Sequence, residues 1–262
     1  MSLRVLLLLI LGLRLAQAEE VLSGWQHQEL RRFRAEEAHQ GVAVDAWHFY
    51  AITNAAIGKY RKDTGERVGG WKEEPGGRIK HLNAGVVLDG VLWCAHSNYP
   101  ERPTRSSVEL FDPESMRHLR SIDLSGLGGS LTWVDRWNGQ WHACFAEYAA
   151  TGNPADTRVV RFDDSWKPDG EFRFPSEAVG KFGRNSSSGG SFGPGGQLFI
   201  TGHDAQELYA LDAPLSGKGW IWRGVIPISA RGQAFAWDRG EPGLLYSIDR
   251  KTREVIVSRV SQ

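Results

Sequence analysis

The chain has 262 residues, with 31 basic and 31 acidic side chains and no formal net charge. That balance argues against electrostatic capture of nucleic acid or of an anionic membrane surface. Eleven Trp and eleven Phe are many for this length, and their first explanation is packing between twisted sheets, where large rings fill wide gaps.

The N-terminus reads as an export signal. Arg4 is followed by the apolar run Val5 to Leu13, and Ala16-Gln17-Ala18 fits the small-x-small cleavage rule ahead of Glu19. Arg14 and the shortness of the run argue against a membrane anchor. The expectation is a signal over residues 1–18 and a secreted or periplasmic mature chain, residues 19–262, forming a single domain.

Glu19 to His39, containing GWQHQELRRFRAEEAH, has a mixed alternation that suits a short helix or an outer strand. Gly41 to Trp71 is clearer: GVAV, WHFYAIT, AIGKYR and ERVGGW are short β-branched and aromatic runs parted by Asp, Asn and Gly corners. That is the pattern of an antiparallel meander. A single four-stranded sheet cannot bury both faces, so copies are expected. QGVAVD, AGVVLD, SLTWVD and QAFAWD each end a first strand on Asp, and GGSFGP keeps the place without it; they begin at 40, 84, 130, 189 and 233. The intervals suit propeller blades of roughly 40–50 residues.

The last repeat, Gln233 to Gln262, supplies only three strands. A strand from Glu19 to His39 would complete it and remove an open sheet edge. The expected fold is all-β: a five-bladed β-propeller closed by an N-terminal strand completing the last blade. Pro175 to Phe182 reads as a short helix inserted after the third repeat. Ser186 to Gly196 reads as a close-packed first strand at the axis. Cys94 and Cys144 fall in the second strands of neighbouring repeats; export permits a bridge, but both look like small buried residues.

In such a ring, residues just before each first strand and just after each second strand share one face. There the chain places His39, Gln40, Asn54, His81, Asn83, His96, Ser97, Ser130, Glu147, Tyr148, His203, Asp204, Arg231, Gln233 and Arg250. Two long loops, Asn98 to Arg105 and Ala149 to Asp156, belong to the same face. A basin of amides, hydroxyls and imidazoles suits a polar small ligand, a sugar or a peptide end. Gln40, His81, Asn83, Ser130, Tyr148, Arg231 and Gln233 are the candidate binding residues. A catalytic reading makes Glu147 or Asp204 the acid/base, with His96, His203 or His81 relaying a proton. The plainer alternatives are that these groups satisfy strand ends, or that the protein is an interaction scaffold. No HxH or HExxH spacing suggests a metal site, no cofactor is called for, and a monomer is expected. Asp45, Asp89, Asp135 and Asp238, at the opposite ends of the first strands, read as turn residues.

Gln233 to Val257 (QAFAWDRGEPGLLYSIDRKTREVIV), with Leu198 to Asp212 (LFITGHDAQELYALD), resembles the final blades of the five-bladed glutaminyl cyclotransferases of plants and bacteria. Lactonase-like and cycloisomerase-like propellers share this grammar. The resemblance implies cyclisation of N-terminal glutamine with loss of ammonia and no obligatory organic cofactor. It also implies a Glu before the Gly that opens the second inner strand. Here Asn83-Ala84-Gly85 stands at that place, so another carboxylate, such as Glu147, would have to act.

Overall fold

The computed structural model describes residues 21–213 and 219–262; the export signal expected over residues 1–18 lies outside them. Each repeat folds as four antiparallel strands. The chain runs through β1 (Gln26–Arg34) and then the first blade, β2 (Gly41–Val44), β3 (His48–Thr53), β4 (Ala56–Arg61) and β5 (Arg67–Lys72). The second blade is β6 (His81–Leu88), β7 (Val91–Ser97), β8 (Ser106–Phe111) and β9 (His118–Asp123). The third is β10 (Ser130–Trp137), β11 (Gln140–Ala146), β12 (Arg158–Phe162) and β13 (Pro168–Arg173), followed by α1 (Ser176–Phe182). The fourth is β14 (Gly189–Phe192), β15 (Leu198–Thr201), β16 (Glu207–Asp212) and β17 (Ile221–Pro227). The last contains β18 (Ala236–Trp237), β19 (Leu244–Asp249) and β20 (Glu254–Ser261).

The last sheet has the order β1-β20-β19-β18. β1 pairs with β20 from Gln26 opposite Ser261 to Arg34 opposite Glu254. The segment ahead of the first repeat is therefore the outer strand of the last blade, and Phe33 stacks on Phe49 of the first blade at 5.3 Å. Inner strands touch in a closed cycle, β2 to β6, β6 to β10, β10 to β14, β14 to β18 and β18 to β2. Five sheets closed in this way are a five-bladed β-propeller.

The core lies between the blades. Side chains of a strand alternate between its two faces, so Leu92 and Cys94 pack with Tyr50 and Ile52 towards the first blade, while Ala95 packs with Leu131 and Val134 towards the third. Both cysteines are free and buried, and burial pushes the Cys144 thiol up to about 12. The lower hub is almost filled: a cavity of only about 10 Å³ remains among Val44, Gly85, Val134, Gly190, Phe235 and their neighbours. A Cβ on Gly189 would lie 2.7 Å from Cα of Ala234 and 2.9 Å from O of Gln233. Ser186 to Gly196 thus contains a packed inner strand at the axis.

The repeated aspartates divide. Asp45 accepts the backbone N–H of Trp47 at 2.7 Å and of His48 at 2.6 Å, which makes it a turn residue. Asp238 accepts Gly240 N–H at 3.0 Å in its corner and also pairs with Lys62 of the first blade. Asp89 has a left-handed φ of 50° in the tight corner before Gly90. Asp135 departs from the turn expectation. Its strand continues to Trp137, so its carboxylate lies inside the structure, where it holds Ser191, Phe192 and Arg239.

Candidate functional site

The upper end of the hub is built from strand corners. His39 and Gln40 lead into β2, Asn54 leaves β3, His203 leaves β15 and Arg250 leaves β19. The Arg250 guanidinium donates to Nε2 of His39 at 3.0 Å and to Nε2 of His203 at 3.3 Å. Both imidazoles therefore carry their proton on Nδ1. For His203 that proton meets Oδ1 of Asp204 at 2.7 Å, and Oδ2 of Asp204 accepts from Asn185 at 3.1 Å. For His39, Nδ1 is buried and has no partner among the described residues. Burial, then Arg250 and Arg253, hold the His39 imidazole down to about 4. His81 is held down to about 4 by burial, then by His96, His39 and Arg250. His39 and His81 are neutral at neutral pH.

Amides and hydroxyls complete the face. Gln40 donates through Nε2 to Oδ1 of Asn54 at 2.6 Å. Gln233 is buried and its Nε2 finds no acceptor among the described residues. The inner strands of the second and third blades carry β-bulges at this end, between Leu82 and Gly85 and between Leu131 and Trp133. Such bulges re-aim side chains next to functional sites. Here the first places Asn83, whose Nδ2 donates to O of Leu131 at 2.9 Å and ties the two blades. Ser130 donates to Ser97 Oγ at 2.7 Å, and burial makes the proton of the nearby Tyr148 hydroxyl harder to lose. Arg231 is exposed. The two long loops meet on this face: the rings of Tyr99 and Tyr148 lie 5.0 Å apart, and Arg102 donates to O of Thr151 at 3.3 Å.

Not every expected residue converges. Glu147 is half-buried beside Gly129 and Gly152 under the second long loop, and no hydrogen bond joins it to a histidine. Asp204 and His203 form a dyad on the rim of the fourth blade. His96 leaves the group. It shares a strand face with Leu92 and Cys94, which turns it into the cleft between the first and second blades. There Nδ1–H donates to Ser107 Oγ at 2.9 Å and Nε2 accepts Lys80 N–H at 3.0 Å.

His96 belongs to a cluster that sequence reasoning missed. Glu109 is almost fully buried and accepts from Ser107 at 2.6 Å, from His118 at 2.7 Å and from Ser121. Burial pushes its carboxyl up, but these donors outweigh burial and hold it below the usual range. The cluster borders a cleft of about 620 Å³ rimmed by Arg78, Lys80, Arg102 and Arg105. Its members are spread over β7, β8 and β9, with His96 on β7, Ser107 and Glu109 on β8, and His118 and Ser121 on β9, so no single local motif marks them. Among the described residues, no three His, Cys, Asp or Glu side chains gather as metal ligands.

In fold, the chain resembles a bacterial glutaminyl cyclase. The Myxococcus xanthus enzyme superposes with a TM-score of 0.62 over 90% of this chain and 96% of that one, at 11% identity. The PQQ-bound aldose sugar dehydrogenase of Streptomyces coelicolor follows with a TM-score of 0.55 at 11% identity, covering 90% and 98% of the two chains. A gluconolactonase of Xanthomonas campestris gives 0.51 at 14% identity, covering 84% and 71%. At such identities the likeness is one of fold. No protein-family model matches the chain, and no curated protein matches its sequence.

Proposed function

We propose that this propeller binds a small polar ligand, a sugar or the end of a peptide, at the upper end of its hub, as a monomer exported after loss of residues 1–18. The observation that carries the reading is the meeting at Arg250 of His39 and His203, residues from corners of the first, fourth and last blades. Rigid sheets hold these groups, so little ordering is needed on binding. Thermal-shift screening of neutral sugars, sugar acids and short peptides tests it. A ligand that raises the melting temperature of the wild type and not of Gln40→Ala or His39→Ala supports the site. Hits indifferent to both substitutions overturn it.

The Asp204–His203 dyad favours a second reading, an enzyme of the cyclotransferase or cycloisomerase kind. An Asp that fixes the Nδ1–H tautomer leaves Nε2 unprotonated, and a substrate proton would have to displace the Arg250 contact there. With Ala84 at the place of the cyclases' Glu, Glu147 or Asp204 would have to serve as the acid/base. Ammonia release from glutaminyl peptides, repeated with Glu147→Gln and His203→Asn, tests that chemistry. No turnover of any glutaminyl peptide removes it.

A further inference from the structure

Around Arg250 donors exceed acceptors, and the imbalance points to a class of ligand. Among the described residues, Arg250 is hydrogen-bonded only to the two imidazoles, and no carboxylate pairs with it. Asp204, the acid in this chain of contacts, already accepts from His203 and Asn185. Two further donors lack partners, Nδ1–H of His39 and Nε2 of Gln233. They belong to one neighbourhood: Ala234 N–H, next to Gln233, donates to O of Gln40, next to His39, at 3.1 Å. Buried donors are normally satisfied, and those left open in a native protein call for an explanation.

We propose, resting on the preceding reading, that the ligand presents a carboxylate to Arg250 and Gln233, with His39 and His203 holding the guanidinium in place. One fixed cation and one neutral donor suit a single negative charge spread over two oxygens. Guanidinium–carboxylate hydrogen bonds are also among the strongest such pairings. A phosphate dianion would bring twice the charge against the same guanidinium. A sugar acid and the C-terminus of a short peptide both supply the required group.

Calorimetric titration at neutral pH separates the cases with matched pairs: gluconate against glucose, and trialanine against trialanine amide. The acid of at least one pair is expected to bind on the order of tenfold or more tightly than its neutral partner. Arg250→Gln, checked for its fold by circular dichroism, is expected to erase that difference. The pair that responds tells sugar acid from peptide terminus. Neutral members that bind as well as the acids, and lose binding in His39→Ala, would overturn the carboxylate while keeping the site. Acid binding unchanged in both Arg250→Gln and His39→Ala would overturn both. Inorganic phosphate binding more tightly than either acid, with the same dependence on Arg250, would also overturn the carboxylate.

Discussion

Asp135 of the third blade forms an ion pair with Arg239 of the last blade across the lower end of the hub. The same carboxylate accepts Ser191 Oγ and Phe192 N–H of the fourth blade, each at 2.8 Å. One side chain thus ties three of the five blades. Asp135 is fully buried, whereas the Arg239 side chain keeps 37% of its exposure.

That difference makes the two single substitutions unequal. Arg239→Met strands a buried carboxylate and is expected to cost about 3–5 kcal/mol. Asp135→Asn leaves behind a guanidinium that water can still reach, and is expected to cost roughly 1–2 kcal/mol. Burial already pushes the Asp135 carboxyl up, against the pull of Arg239. Without Arg239 it rises further. A folded-state value above the unfolded one gives stability that is present at low pH and lost as pH rises through it. The deficit of Arg239→Met should therefore shrink on acidification. Urea midpoints at several pH values check both the order and the trend; equal costs would show that the pair is not governed by burial.

Asp135 also shows how far the sequence could be read. Asp at the ends of repeated strands, and a final repeat one strand short, were enough for five blades and for the closure by β1. The shared ending concealed that Asp45 and Asp238 cap corners while Asp135 lies inside a longer strand. His39, Gln40, His203, Gln233 and Arg250 were legible as one face because topology alone puts strand corners together. His96 was not. A period of two shows that it shares a face with Leu92 and Cys94, but not that this face turns to the first blade. The cluster around Glu109 was invisible for a related reason: it depends on register across three strands.

Gly190 makes the hub intolerant of a methyl group. A Cβ there would lie 2.3 Å from Cε2 of the Trp133 indole, a fully buried ring whose Nε1–H donates to Ser187 Oγ at 3.1 Å. The indole cannot move without breaking that bond and the packing between the third and fourth blades. Gly190→Ala is expected to lower stability by about 2–3 kcal/mol, the range for overpacking a filled core. The added variant Trp133→Phe should recover part of the loss in the Gly190→Ala background, measured by chemical denaturation.

Acid should weaken the fold through its neutral histidines. His39, His81 and His142 are each held down to about 4, chiefly by burial, against an ordinary value of 6.5. Between these values the unfolded chain takes up protons that the folded chain refuses. Stability from these groups is thus complete above 6.5 and is lost as pH falls towards 4. His142 is the cleanest probe, since it is buried with its ring edge-on to Phe192 at 4.9 Å and away from the upper face. His142→Gln should flatten the dependence of unfolding free energy on pH by up to about 1.4 kcal/mol per pH unit in this window. An unchanged slope would mean that His142 protonates freely in the folded state.

Gln233 ties stability to binding. Its side chain is 5% exposed and its Nε2 makes no hydrogen bond. A buried donor left open costs on the order of 1–3 kcal/mol. Methionine has a similar unbranched shape without the donor. Gln233→Met is therefore expected to raise the stability of the free protein by about 1 kcal/mol. If the open donor is kept for a ligand, the same substitution must weaken binding at the upper end of the hub. The two measurements are a denaturation curve without ligand and a titration with whichever acid binds the wild type. Higher stability with undiminished affinity would make Gln233 a tolerated defect of the hub, and lower stability would show that its amide is satisfied in solution.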